Sequence, residues 1–263
     1  SETQRINFGV LAEYTEITEG YYAAQEISEF IEINGSTSVN LKANVSWSRS
    51  TLNRGIFADR GSSQSIAAEI SMPGSDLQFY KFIYNGERYF PITNSWTLRL
   101  RTELGYGGGY GDTPGLPFYE HFYGGGFGSI RGFENSTLGP RSTPPLDADG
   151  NPVYFRDRNG DPFGGNLLVE ATAELIFPMP FVDDNRQFRP AIFVDAGNVF
   201  NTNCPTVSIN CFDFDSDNMR YSVGIGVSWL SGMGPLSFSF AKPFQTQPYD
   251  EKEMFQFELG RTF

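Results

Sequence analysis

Met219 Arg220 Tyr221 Ser222 Val223 Gly224 Ile225 Gly226 Val227 Ser228 Trp229 alternates without a break: every odd position is apolar, and every even one is Arg, Ser or Gly. A period of two places all the apolar side chains on one face of an extended chain, so this stretch is a strand with one greasy side. The pattern recurs in Leu236, Phe238 and Phe240 against Ser237, Ser239 and Ala241. It recurs again in Val39, Leu41, Ala43, Val45 and Trp47 against Asn40, Lys42, Asn44, Ser46 and Ser48, and in Leu98, Leu100, Leu104 and Tyr106 against Arg99, Arg101 and Glu103. Ten such runs can be marked, at about 6–14, 38–49, 65–72, 77–90, 95–106, 166–177, 189–200, 219–229, 235–242 and 253–262. No long amphipathic helix competes with them. The spacing of Ala24, Ile27 and Ile31, with Glu26, Glu29 and Glu32 between, predicts one short surface helix within 21–33.

Most of the runs fall close to the length that a tilted strand needs to cross a bilayer, roughly 9 to 11 residues. Connections alternate between short turns (91–94, 231–234) and longer polar stretches (15–37, 107–165, 201–218, 244–252), as expected when the two sets of loops face opposite sides of a membrane. No apolar stretch approaches the length of a transmembrane helix, and the mean hydropathy is negative, which suits a chain that is greasy on one face only. A soluble β-sandwich would also alternate. It would seldom gather so many Tyr, Phe and Trp at strand ends, where membrane-interface girdles place them, and aromatics make up 16% of this chain. The expected fold is therefore all-β, an antiparallel transmembrane β-barrel with long extracellular loops.

A net charge of −12 without a basic stripe disfavours a nucleic-acid partner. Much of the acidity (Asp213, Asp215, Asp217, Asp250, Glu251, Glu253) falls in the long loops and reads as solvated charge. Cys204 and Cys211, with six residues between them in one loop, predict a disulfide; with no histidine beside them they would make an incomplete zinc shell. An oxidising compartment follows, which a protein reaches with a signal peptide. None stands at the head of this sequence, which therefore reads as a mature product or as a fragment without its front end.

Other motifs carry less. Asp147 Ala148 Asp149 Gly150 Asn151 begins like a calcium loop, but the glycine comes two residues early, Pro152 occupies the sharp-turn position, and Arg158 stands where a bidentate glutamate belongs. Tight turns at Asp149 Gly150 and Asn159 Gly160 are the better reading. The glycines of 124–132 form no dinucleotide fingerprint and lead into no helix. His121 is the single histidine, too little for a triad or a zinc hydrolase, and a packing role is expected for it. No catalytic residue, cofactor or metal is expected.

One cation stands apart. Arg131 lies in Leu116 Pro117 Phe118 Tyr119 Glu120 His121 Phe122 Tyr123 Gly124 Gly125 Gly126 Phe127 Gly128 Ser129 Ile130 Arg131 Gly132 Phe133, among glycines and aromatics. A guanidinium stays charged and presents five donors in a rigid fork, so held in such a loop it requires carboxylates from elsewhere in the chain. The loop reads as a latch.

The run LPFYEHFYGGGFGSIRGFENSTLGP (116–140) resembles the sixth extracellular loop of the BamA family of outer-membrane β-barrel assembly proteins, whose signature there is a VRGF or IRGF tetrapeptide. TLNRGIFADRG (51–61), MPGSD (72–76), AIFVDAGNVFNT (191–202), GPLSFSFAKPF (234–244) and the terminal FQFELGRTF (255–263) follow in the family's order. The resemblance implies that the chain is the C-terminal part of a sixteen-stranded barrel, about its last ten strands, with the periplasmic POTRA domains absent. It further implies that the loop at about 107–165 folds into the lumen, where Arg131 of Ile130 Arg131 Gly132 Phe133 meets Glu174 and Asp195 on the inner wall. Strand parity agrees for Glu174, because Val169, Ala171, Ala173, Leu175 and Phe177 claim the opposite, lipid side. Asp195 also opposes Ile192, Val194 and Ala196, although Phe193 shares its face.

Phe255, Phe257, Leu259 and Phe263 line one face of the last strand, Arg261 is placed to snorkel at its end, and Gly260 provides a point of bending. By the resemblance this strand forms a lateral seam through which unfolded outer-membrane proteins are folded and inserted, with no bond made or broken and hence no enzyme. The implied partners are those clients, accessory lipoproteins bound through the POTRA domains, and outer-membrane lipid with lipopolysaccharide. The implied location is the bacterial outer membrane. Two alternatives stand beside this: a two-partner secretion transporter, and a plain porin or adhesin barrel. Ten strands alone would leave two open edges, so the sheet is expected to belong to a larger barrel or to pair with another copy.

Overall fold

The period-two runs form the strands of one sheet. In chain order they are β1 (Gln4–Glu16), β2 (Thr37–Ser50), β3 (Gly61–Ser71), β4 (Phe79–Pro91) and β5 (Thr97–Gly109), then β7 (Leu167–Ile176), β8 (Phe188–Phe200), β9 (Arg220–Ser231), β10 (Gly234–Phe244) and β12 (Phe255–Leu259). Two short pieces, β6 (Gly132–Phe133) and β11 (Lys252–Glu253), pair only with each other, and one helix, α1 (Gln25–Asn34), lies between β1 and β2. This computed structural model describes residues 3–147, 149, 151–153, 160–180, 187–232 and 234–260. Arg261 and Phe263 of the expected seam strand, and Ala148, Gly150 and Arg158 of the calcium-like stretch, lie outside the described residues.

Every pairing in the sheet is antiparallel between neighbours in sequence, in the order β1-β2-β3-β4-β5-β7-β8-β9-β10-β12, so β1 and β12 form the two edges and the sheet is not closed. The loop containing Arg131 interrupts the count after five strands, and five more follow. Register preserves the two faces throughout: Val223 pairs with Val194, Phe238 with Val227, and Phe257 with Phe238, all on the apolar side. Ile192, Val194, Ile225, Phe240, Phe255 and Phe257 are exposed there, as residues facing lipid would be. Aromatics collect at both rims of that face. Trp96 packs on Phe177 and Phe188 on Trp229 at one end, while Tyr80 packs on Tyr106 and Tyr221 on Phe244 at the other.

Loop length separates the two ends less cleanly than the sequence suggests. The connection between β2 and β3 lies at the turn end but holds a buried residue, Ala58, clustered with Tyr89, Ile176 and Ala191. Arg189 accounts for this: its Nη2 donates to the Ala58 carbonyl at 2.5 Å and its guanidinium lies over the rings of Phe57 and Tyr89. The connection is folded inward to cover that mouth of the sheet.

At the loop end, Cys204 and Cys211 form the expected disulfide. The helix α1 is present, but Glu26 is buried rather than solvated. Its carboxylate accepts from the Thr143 amide and hydroxyl and from Ser208 Oγ, so it ties α1 to two other loops. Asp250 and Glu251 likewise are not free surface charge. Asp250, buried at its side chain, receives Arg220 Nε at 2.7 Å, and Glu251 receives Arg141 Nη1 at 2.9 Å. Asp147 accepts from the amides of Asp149 and Asn151, which is turn geometry.

Candidate functional site

The 57 residues between β5 and β7 would be a liability as free loop, yet described parts of the segment pack against the sheet and against one another. Two apolar clusters hold them: Leu116 and Phe122 join Leu77, Phe79, Leu168 and Val199, while Ile130, Phe133 and Leu138, all fully buried, form a second knot inside the loop. Gly132 has φ +91 and lies flat against β10, where a Cβ would come within 3.2 Å of Ala241 Cβ and Pro243 Cδ. A side chain there would both strain the backbone and lift the loop from the wall.

Arg131 is 3% exposed and each of its three guanidinium nitrogens meets a carboxylate oxygen. Nε donates to Asp195 Oδ2 at 2.8 Å and Nη2 to Asp195 Oδ1 at 2.7 Å, a bidentate pair, and the Arg131 amide adds a bond to Oδ2 at 3.1 Å. Nη1 lies 2.7 Å from Glu174 Oε1. The ring of Phe193, 3.3 Å from the guanidinium carbon, forms the floor beneath it. Phe193, the one residue that blurred the polarity of β8, therefore faces inward because a planar cation stacks on it. Burial opposes the charge on Arg131, but Asp195 and then Glu174 outweigh it, and the guanidinium is held more firmly protonated than usual.

The acids are shared. Glu174 Oε2 accepts from Arg99 Nη1 at 2.9 Å, and Arg99 Nη2 reaches Glu87 Oε2 at 3.2 Å. Charges thus alternate in sign from β8 through the loop to β7, β5 and β4: Asp195, Arg131, Glu174, Arg99, Glu87. Removing any inner member leaves two like charges adjacent in a shielded site. Arg99 was visible in the sequence as an inward residue of its strand, but nothing local identified Glu174 as its partner.

The approach leg of the loop carries a second anchor of opposite polarity, which sequence reasoning missed. Glu120, on a single 3-10 turn (Phe118–Glu120), receives Lys42 Nζ of β2 at 2.5 Å and Lys81 Nζ of β4 at 2.9 Å. Both lysines have inward parity, which was the available signal. Ser129 Oγ donates to Glu170 of β7, and Arg101 Nη1 donates to the Gly128 carbonyl at 2.5 Å, fixing the glycine turn between the two anchors. His121 packs edge-on against Phe163 with Nδ1 at 3.0 Å from the Phe163 carbonyl, and burial pushes its pKa down.

Burial alone would raise the Glu120 carboxyl, but hydrogen bonds from Lys42 and Lys81, and then their charge, bring it below the ordinary value of 4.5. A carboxyl depressed on folding stabilises above its unfolded pKa and loses that contribution as pH falls through the folded value. Amide exchange at 118–122 should therefore quicken on acidification below about pH 4.5 relative to Glu120→Gln. At neutral pH that variant should already be looser, by about 1.5 to 3 kcal/mol for the lost charged hydrogen bonds. Equal exchange in the two proteins at neutral pH would contradict this anchor.

The last strand is the shortest in the large sheet. Phe255, Phe257 and Leu259 are exposed on the apolar face, Gln256 is buried on the other, and β12 pairs with β10 alone among the described residues. At Gly260 the backbone turns to φ +90. Bending at this point is open to glycine at little cost.

Comparison with known proteins matches this arrangement over its whole length. The Omp85 superfamily domain aligns with residues 1–263. The outer membrane protein assembly factor BamA of Neisseria meningitidis serogroup B is 36% identical over all of the chain, which spans 35% of that relative's length. A SAM50-like protein of Schizosaccharomyces pombe is 25% identical over 73% of the chain and 37% of its own length. The crystal structure of BamA from Haemophilus ducreyi lacking POTRA domains 1-3 superposes with a TM-score of 0.83 at 30% identity, covering 98% of the chain and 51% of that structure. With the family pattern spanning residues 1–263, the chain belongs to the Omp85 superfamily.

Proposed function

We propose that the chain is the C-terminal part of the barrel of an outer-membrane protein assembly factor. In this reading it folds and inserts β-barrel clients into the bacterial outer membrane at a seam bordered by β12. The observation that carries the reading is a short last strand at a sheet edge, next to a loop held on the polar face by Arg131, Glu174 and Asp195. An edge strand offers its backbone donors and acceptors to an incoming strand, and a client that pairs there gains hydrogen bonds before leaving water. No covalent step is involved. The residues Ile130, Arg131, Gly132 and Phe133 act as the latch; Phe255, Phe257, Leu259 and Gly260, with Phe263, form the seam strand. Partners in this reading are unfolded outer-membrane proteins, lipoproteins held by POTRA domains outside this chain, and the surrounding lipid and lipopolysaccharide.

A photo-crosslinker placed at Phe257 in the full-length protein should capture a stalled barrel client, while one at Phe82, on the lipid face of β4, should not. Equal capture at both positions, or none at Phe257, would contradict the seam. Export of a polypeptide through the lumen without barrel insertion would favour the transporter alternative.

A further inference from the structure

We propose that the latch tetrapeptide grips the last strand directly through Gln256, so that the lumenal cation and the seam are one mechanical unit. Arg131 faces β7 and β8, but the two residues after it face the other way. Gly132 and Phe133, as β6, pair antiparallel with Glu253 and Lys252 of β11, and the Glu134 amide donates to the Glu251 carbonyl at 3.0 Å. A single residue, Met254, separates β11 from β12, and its carbonyl accepts from the Ala241 amide of β10 at 2.8 Å.

Gln256 then extends the small ladder with its side chain. It is 5% exposed on the inward face of β12, its Nε2 donates to the Phe133 carbonyl at 2.7 Å, and its Oε1 accepts from the Gly132 amide at 3.4 Å. A carboxamide places a donor and an acceptor side by side as a peptide group does, so Gln256 takes the place of a missing strand residue, and its second N–H donates to Glu253 Oε2 at 3.3 Å. Glutamate would lose the donors, and leucine would lose all three bonds. The positive φ of Gly132 turns the chain from the β8 wall to the β10 and β12 side within one residue. Displacing Arg131 therefore pulls on β12 through the next two residues of the loop and the single Gln256 side chain that they hold.

Gln256 is thus a positioning residue: it sets how firmly β12 is held, and through that how readily a client strand can take its place. The consequence for insertion rests on the assembly reading, whereas the grip itself does not. By reciprocity, weakening either end must loosen the other.

Amide exchange in the full-length protein in bilayers reads this out at 130–134 and 255–259 for the wild type, Gln256→Leu and Arg131→Lys. Gln256→Leu should speed exchange roughly tenfold at both segments, the scale of a lost buried hydrogen bond. Arg131→Lys should speed exchange at 255–259 as well as at 130–134. Exchange at 255–259 that stays at the wild-type rate in Arg131→Lys, or at 130–134 that stays so in Gln256→Leu, would overturn the coupling. Because Gln256→Leu leaves the charge network intact, it tests the proposal even if Arg131→Lys fails to fold. Client insertion measured alongside separates the two ideas: coupled exchange with unchanged insertion supports the grip and removes its role in assembly, and lost insertion with uncoupled exchange does the reverse.

Discussion

Arg131→Ala in the full-length protein should cost about 3 to 5 kcal/mol of barrel stability and should lower the level of assembled outer-membrane proteins in cells that depend on it. The size follows from what remains. Asp195 would lose both side-chain donors and Glu174 one, leaving two buried carboxylates, of which Glu174 keeps its pair with Arg99. Phe193 would lose the cation stacked on its ring. Arg131→Lys should be nearly as damaging, because an ammonium cannot supply a bidentate pair to one carboxylate and a third bond to another while lying flat on an aromatic face. Thermal unfolding of the purified barrel and immunoblots of outer-membrane porins check the two halves. A porin-like barrel would leave the blots unchanged.

Glu174→Ala should be of similar size, for a different reason. Glu174 is the only member of the chain of charges that neutralises two guanidiniums, Arg131 through Oε1 and Arg99 through Oε2. Alanine would leave those cations facing each other across a shielded gap, each retaining one carboxylate, Asp195 or Glu87. A loss of about 3 to 5 kcal/mol is expected, with Glu174→Gln intermediate because it keeps the volume and one acceptor. The pair Arg99→Leu with Glu174→Leu should recover much of the loss, since an apolar replacement removes the orphaned charge and leaves the Arg131–Asp195 pair in place. Chemical denaturation of these variants, and of Arg99→Leu and Glu174→Leu alone, would measure this. Additive losses in the double variant would show that the site is not a charge network.

The strands and their inward faces were legible because a two-residue period records which side of a sheet meets an apolar phase. Parity placed Glu174 on the inner side, in agreement with the family resemblance that named it. Asp195 was less certain only because Phe193 looks like a lipid-facing residue until the guanidinium above it is known. What parity cannot supply is the partner. Lys42 and Lys81 have inward parity but nothing local that names a partner, and Glu120 has no strand period to place it; their meeting depends on how the loop crosses the sheet. Gln256 was hidden for the same reason.

The loop acids show the limit more sharply. Asp250 and Glu26 sit in polar, acidic stretches that read as solvated, yet each is buried against a partner distant in sequence, Arg220 in one case and Thr143 in the other. Local composition reports solvation only where the loops remain apart. Here they close over one another.

A double-mutant cycle on Arg131 and Asp195 tests the central claim most directly, because the two side chains are in contact and no other pair shares as many bonds with the latch. Unfolding of wild type, Arg131→Ala, Asp195→Ala and the double variant should give single losses of about 3 to 5 kcal/mol and a double loss no larger than the greater single one. Losses that simply add would mean the guanidinium and the carboxylate stabilise the barrel independently, and the loop is not held by this pair.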